Sequence, residues 1–377
     1  MARDVIEREL TGTQAGRLRF DIAAVGDDAD IRRLLRENPM PGRLSLSFER
    51  EPNYFADAKL PGETKQTIVA RDGERVVCVG SCTIRQRFVN GRPSKVGYLG
   101  GLRLDACHTG RFDILRQGYE FFHQLQADNP ADFYFTSIAG DNVRARSILE
   151  RGLPGMPSYE FIGEFVTVLL PVQPGDPAPD VVENRNPPAE QIVTLLNNHN
   201  RERQFAPCWT ENEVTALGPL GLNLNDFRFV ADSGSIDAVA ALWDQRVFKQ
   251  TVVRDYAPSL MRARPVLNLA ARFTGGTRLP AVGEVLRNGY VSHLAHNLSK
   301  PDMLLLLIAE LRRVAAQRKI ELLTLGFAAN DPKLAVVSRS FLAREYHSRL
   351  YVVRWADCGG GARELDQRVL APEVATL

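Results

Sequence analysis

Apolar and polar positions change period several times along this chain, and each change marks an element. Ala29 to Glu37 reads as a first helix, with the acids of Asp27 to Asp30 supplying its cap. Thr67 to Asp72 and Glu74 to Phe88 read as a hairpin around Asp72-Gly73, a dipeptide suited to a tight turn. A run of five pieces follows: a strand (KVGYLGGLRL, 95–104), a turn (DACHTGR, 105–111), a helix (FDILRQGYEFFHQL, 112–125), a strand (ADFYFTSIAG, 131–140) and a helix start (DNVRARSILERG, 141–152). Within that helix Ile114, Gly118, Phe121, Phe122 and Leu125 recur at helical spacing and mark its buried face. Farther on, Ala189 to Glu202 reads as a helix, and Phe227 to Ala231 and Ala238 to Phe248 read as paired strands. A helix, a strand and a helix then close the chain. Strands and helices alternate throughout, which predicts a mixed α/β fold.

Residues 171–188 break the pattern, because prolines, acids and asparagines replace any hydrophobic period there. They read as a linker between an N-terminal domain, 1–170, and a C-terminal domain, 189–377. The two halves echo one another. GYLGGLRL aligns with GYVSHLAHNL, FDILRQGYEFFHQL with PDMLLLLIAELRRVAAQ, and FYFTSIAGDN with ELLTLGFAAND, in the same order. The interval from Tyr98 to Asn142 is 44 residues, whereas that from Tyr290 to Asn330 is 40. The difference falls at the turn, where DACHTGRFD is answered only by NLSKPD, a helix start capped through Ser299 or Asp302. This pattern implies a tandem duplication in which the second copy is degenerate.

Composition narrows the function classes. A chain of 377 residues exceeds one ordinary core, and 44% hydrophobic with 24% charged residues matches a folded soluble protein. A formal charge of +2, with Arg and Lys scattered, provides no electrostatic footprint for nucleic acid. The start, MARDVIEREL, lacks an apolar core, and the longest greasy run, Met303 to Ala309, is far short of the roughly 20 residues that span a bilayer. A cytoplasmic protein with no membrane partner is expected. Five cysteines at irregular spacing argue for a reducing compartment, and Cys78 and Cys82 on one strand stand about 13 Å apart, too far for a disulfide. His293 and His296, three apart on a strand, point to opposite faces, so no metal site is expected. No GxSxG, HExxH or P-loop sequence is present.

The stretch from Lys95 to Gly152 resembles the core of the GNAT N-acetyltransferase superfamily. In that family a strand ending in an apolar, basic, apolar triplet splays from its neighbour, and the acyl-CoA arm lies between them. Leu102, Arg103 and Leu104 match the triplet. The family next has RxxGxG or QxxGxG at a helix N-terminus, which maps onto Thr109 to Ile114. The resemblance therefore implies a diphosphate cradle at His108, Thr109, Gly110 and Arg111, where free N–H groups and the helix dipole attract anions. Here Phe112 and Ile114 replace the two glycines, and Asp113 adds a carboxylate. Asn142 and Ala145 match the family's NxxA helix start. Seven positions past the Asn the family has a Tyr that protonates the departing thiolate. Leu149 stands there in this chain, leaving Tyr159 or another hydroxyl for that role.

The resemblance implies two tandem GNAT-like domains, with acyl-CoA as co-substrate and an amine-bearing acceptor as partner. The acceptor-lining loop of the family corresponds to MPGRLSLSFEREPNYFADA. Glu49 is the general-base candidate there, with Tyr54 as an acceptor-site wall, Tyr98 nearby, and Asp105 as a weaker base. The alternative for Glu49 is a simple ion pair with Arg50 or Arg87. Two functions stay open: transfer of an acetyl or other short acyl group to an amine, or noncatalytic acyl-CoA sensing. The residues leave the acceptor and the oligomeric state open.

Overall fold

Strands and helices do combine in both halves, as the apolar periods predict. The computed structural model describes residues 18–173, 182–183, 188–232, 235–274, 278–296, 302–356 and 364–377. The first half runs β1 (Leu18–Ile22), α1 (Asp28–Glu37), β2 (Leu44–Glu49), β3 (Thr64–Asp72), β4 (Arg75–Val89), β5 (Arg92–Leu104), α2 (Phe112–Gln126), β6 (Phe133–Ala139), α3 (Val143–Leu149) and β7 (Ser158–Pro171). The second runs β8 (Val182–Glu183), α4 (Ala189–Arg201), β9 (Arg203–Gln204), α5 (Glu211–Thr215), β10 (Phe227–Asp232), β11 (Ser235–Trp243), β12 (Gln250–Tyr256), α6 (Pro258–Thr274), β13 (Asn288–His296), α7 (Asp302–Gln317), β14 (Leu322–Ala328), α8 (Pro332–Ser340), β15 (Arg344–Arg354) and β16 (Val369–Leu370). Most of the expected linker, and Ser299 of the expected cap, lie outside the described residues.

One 12-stranded mixed sheet runs through both halves, in the order β1-β3-β4-β5-β6-β15-β7-β14-β13-β11-β10-β8. β7 and β15 are exchanged at its centre. β7, the last strand of the first half, pairs with β14 of the second, and β15 of the second half pairs with β6 of the first. They also pair with each other, from Arg344↔Leu169 to Arg354↔Ser158. Each half therefore completes the other's sheet.

Helices cover both faces. α2 lays Ile114 and Phe121 on Phe20 and Val77, while α1 buries Ile31, Leu34 and Leu35 on the opposite face against Val69, Val76 and Val79. In the second half Leu304, Leu307, Ile308 and Leu311 of α7 pack on one face, and Ile192 and Leu196 of α4 on the other. Each such fully buried side chain contributes about 1.5–3 kcal/mol of transfer free energy.

Four features differ from the sequence expectation. The helix, strand and helix expected to close the chain are followed by β15, at the centre of the sheet, and by β16. The strand expected over Ala238 to Phe248 ends at Trp243, and Phe248 belongs to the turn that follows. The stretch expected as an acceptor loop contains β2, whose LSLSFE alternation pairs with β12 in a separate two-stranded sheet from Leu44↔Tyr256 to Glu49↔Gln250. At His293, φ is +52°, and the pairing of β13 with β11 shifts register between Val239 and Ala241. That bulge removes the simple alternation that predicts opposite faces for His293 and His296.

Candidate functional site

β5 and β6 start as parallel neighbours and then separate. They pair only at Val96↔Phe133, Gly97↔Tyr134 and Tyr98↔Phe135. The cause is local. Gly101, at φ +67°, sits in a bulge where pairing with β4 shifts between Val79 and Ser81. A left-handed residue there turns the rest of β5 away, and only glycine adopts it without strain. Two side chains bridge the point of departure: Thr136 Oγ1 donates to the Leu99 carbonyl at 2.7 Å, and the Tyr98 and Ser137 hydroxyls meet at 3.0 Å. Beyond them Arg103 and Leu104 pair with β4 alone, past the bulge that holds Leu102, and present a second backbone edge to the gap.

A cavity of about 100 Å³ opens beside this gap on the α1 face. Its walls come from β2 and the segment after it (Phe48, Arg50, Tyr54, Asp57, Glu63), from β4 and β5 (Ser81, Tyr98, Gly101, Arg103), and from Phe248, Lys249 and the C-terminal residues Ala375 to Leu377. Its charges are crowded. Lys65 donates to Asp57 at 2.7 Å, and Arg50 Nε lies 3.4 Å from the same carboxylate. Burial opposes ionisation of Asp57, but Lys65 and Arg50 outweigh it and hold the carboxyl below the usual range. Glu63 accepts from Arg85 at 2.9 Å, and burial nevertheless raises its pKa. Lys249 donates to the Leu377 main-chain oxygen at 2.7 Å; burial, with Arg50 adding repulsion, pulls its pKa down to about 7.

The sequence-predicted residues fall into three groups. Tyr54, Tyr98 and Arg103 line the cavity. Glu49 does not: strand alternation sends Phe48 and Arg50 inward and Ser47 and Glu49 outward. Its carboxylate is buried in an ion pair with Arg254, with Arg36 Nε at 3.8 Å, so its partner is neither Arg50 nor Arg87. Asp105 is a structural cap that accepts from the Cys107 N–H at 3.0 Å and from Arg75 at 2.9 Å. Tyr159 is half-buried and does not line the cavity, its hydroxyl bonded to that of Tyr119 and its ring edge-on to Tyr351.

At the expected cradle, Ile114 is buried in the α2 core and stands clear of the turn, whereas Phe112 is 46% exposed. Arg111 begins α2 without a side-chain cap, so Thr109 does not serve as one. Gly110 is left-handed at φ +95° with nothing within 4 Å of where a Cβ would stand. Arg111 grips Asp113 in a two-point fork, 2.8 and 2.6 Å, which counters its charge, and His108 lies 3.3 Å from Asp72. Asn142 caps α3, accepting from the Ala145 N–H at 3.1 Å. Asp57, Glu63 and Lys249 were missed by sequence reasoning. None stands in a motif, and Lys249 reaches the cavity only through the β2–β12 pairing.

The second half repeats the divergence. β13 and β14 pair only at Asn288↔Leu322, Gly289↔Leu323 and Tyr290↔Thr324. Here the C-terminal segment enters the gap. Glu373 accepts from the His293 N–H at 3.0 Å, and a Cβ on Gly326 of β14 would stand 2.8 Å from Val374. About 50 Å³ remains, walled by His199, Arg203, His293, Lys333 and Glu373 among others. Burial dominates these groups: the His293 imidazole is pushed down to about 3, and the Glu373 carboxyl up to about 7. Among the described residues no cluster of three metal-ligating side chains occurs, and no helix is long and apolar enough to cross a membrane.

No family model matches the sequence. The chain is 33% identical over 144 residues to a leucine–tRNA ligase of Frankia alni, and 32% over 114 residues to one of Frankia casuarinae. These matches take in 38% and 30% of this chain but only 13% and 10% of the ligases, so the chain spans a small part of the curated relatives it matches. By structure it is similar to Saccharomyces cerevisiae N-myristoyltransferase with bound myristoyl-CoA, at a TM-score of 0.61 and 12% identity, covering 91% of this chain and 84% of that one. It is also similar to a GCN5-related N-acetyltransferase from Sphaerobacter thermophilus, at 0.55 and 11%, covering 90% and 96%. At such identities the likeness shows the fold alone. The expected GNAT-like mixed α/β fold is borne out.

Proposed function

We propose that this chain is a tandem GNAT-like N-acyltransferase that uses acyl-CoA through its first half. The observation that carries the reading is the divergence of β5 from β6 beside a polar cavity, on a fold shared with acyl-CoA-dependent N-acyltransferases. The edge at Arg103 and Leu104, which has β4 on one side and no strand on the other, offers main-chain groups to an amide-containing arm. The equivalent gap of the second half holds the chain's own C-terminal segment.

Acyl-CoA would supply an activated thioester; the remaining chemistry belongs to the chain. An acceptor ammonium must lose its proton before its nitrogen can attack. Lys249, with a pKa near 7 inside the cavity, is neutral often enough to take that proton. The amide bond forms as the thioester C–S bond breaks, and the departing thiolate is protonated. The Tyr98 hydroxyl, held by Ser137 at the point where the strands part, lines the cavity and is a candidate donor for it.

Thermal unfolding with acetyl-CoA tests binding, because a ligand specific for the native state raises stability. Release of free CoA with a panel of amines then separates an enzyme from a sensor. A lack of stabilisation at millimolar acetyl-CoA contradicts both.

A further inference from the structure

The cavity beside β5 carries an imbalance of charge that specifies its ligand. Four cations line it: Arg50, Lys65, Arg103 and Lys249. Two acidic side chains, Asp57 and Glu63, stand with them; Glu63 is already engaged by Arg85 from outside the lining, and Lys249 by the Leu377 main-chain oxygen at 2.7 Å. Lys65 and Arg50 share Asp57. Arg103 makes no ion pair among the described residues; its one hydrogen bond, at 2.8 Å, runs to the carbonyl of its own neighbour Leu102. Arg50 has a buried Nε with no hydrogen-bond partner. Burial and the repulsion of Arg50 together lower the pKa of Arg103, so these two guanidiniums press on each other in a partly dry space.

We propose that the acceptor bound here is a small amine bearing a carboxylate, of the free amino-acid class, with the carboxylate held between Arg103 and Arg50. A carboxylate accepts a fork of two N–H bonds from a guanidinium, and an anion between two like charges removes their repulsion. On the other wall Lys249 stands close enough to Asp57 and Glu63 to be charge-coupled to both. Volume agrees: a cavity of about 100 Å³ has room for a small head group rather than a folded segment.

Arg103 is placed for the acceptor and not for CoA phosphates. Its neighbour Leu104 packs with Ile114 on the α2 side of the sheet, so alternation sends Arg103 to the opposite face, where the cavity lies.

The identity of the reaction rests on the acyl-transfer reading; the ligand class does not. Calorimetric titration of glycine, alanine and serine against glycinamide, alaninamide and serinamide, with and without acetyl-CoA, compares amines that differ only in the carboxylate. The amino acids are expected to bind at least tenfold more tightly than their amides. Arg103→Gln is expected to erase that preference while acetyl-CoA still stabilises the fold, and Arg103→Lys to keep part of it. Equal binding of acids and amides overturns the proposal, as does an Arg103→Gln chain that loses acetyl-CoA and keeps the preference. If amino acids bind selectively and no CoA is released, the acyl-transfer reading fails while the ligand class stands.

Discussion

The Glu373 carboxylate accepts the main-chain N–H of His293 at 3.0 Å, and this contact ties the C-terminal segment into the gap between β13 and β14. Burial holds the Glu373 carboxyl up to about 7 from 4.5. The folded pKa lies above the unfolded one, so the neutral form's stability is fully present below about 4.5 and is lost as pH rises through about 7. The loss levels off at about 3 kcal/mol, since each tenfold difference in proton affinity between folded and unfolded chain is worth about 1.4 kcal/mol. Glu373→Gln keeps an acceptor for His293 without the charge. It is expected to match the native chain at pH 4.5 and exceed its stability by up to about 3 kcal/mol at pH 8.5. Urea unfolding across that range checks this, and parallel pH profiles for the two chains count against it.

Arg85 is 2% exposed by side chain and bridges Glu63 at 2.9 Å and Glu213 at 3.1 Å, with its guanidinium 4.3 Å from the Trp209 ring centroid. It joins the two halves beneath the cavity. Arg85→Met leaves two buried carboxylates without their cation, a loss of roughly 3–5 kcal/mol. Chemical denaturation should show a correspondingly lower midpoint, whereas a change under about 1 kcal/mol would mean that water reaches those carboxylates.

Arg111 is neutralised by its fork to Asp113 at the start of α2. If this turn holds the CoA diphosphate, Asp113→Asn frees a cation there and removes a like-charged neighbour. Acetyl-CoA is expected to bind several-fold more tightly to that variant, and the gain should shrink at high salt. Calorimetry at low and high ionic strength reads both. Unchanged affinity would place the diphosphate elsewhere.

Lys249, with a pKa near 7, sets the expected pH dependence of transfer. Activity should rise with pH through about 7 as the amine form accumulates, then level off. Lys249→Arg keeps the cation but cannot deprotonate near neutrality, so it should lose activity by tenfold or more and lose that inflection. A variant with native rate and profile assigns the proton transfer to another group.

The run from β5 to α3 is legible in sequence because its signals are local. Helical spacing of Ile114, Phe121 and Phe122 and the Asn142 cap need no distant partner. What stays hidden depends on long-range pairing. Glu49 and Arg50 are adjacent, and which one faces the cavity is settled by β2 pairing with β12, about 200 residues away. Lys249 enters through the same pairing. The exchange of β7 and β15 leaves no local trace either, since each strand reads alike beside either partner. The local pattern around His293 is that of a regular strand, and its left-handed backbone at the bulge is a tertiary effect.

Hydrogen exchange with and without acetyl-CoA tests the central claim most directly, because it reads which gap takes the ligand. Amides of Leu99 to Leu104 and Thr136 to Ala139 are predicted to gain protection, with Val291 to His296 unchanged. Protection confined to Val291 to His296, or none at saturating acetyl-CoA, would contradict an acyl-CoA site between β5 and β6.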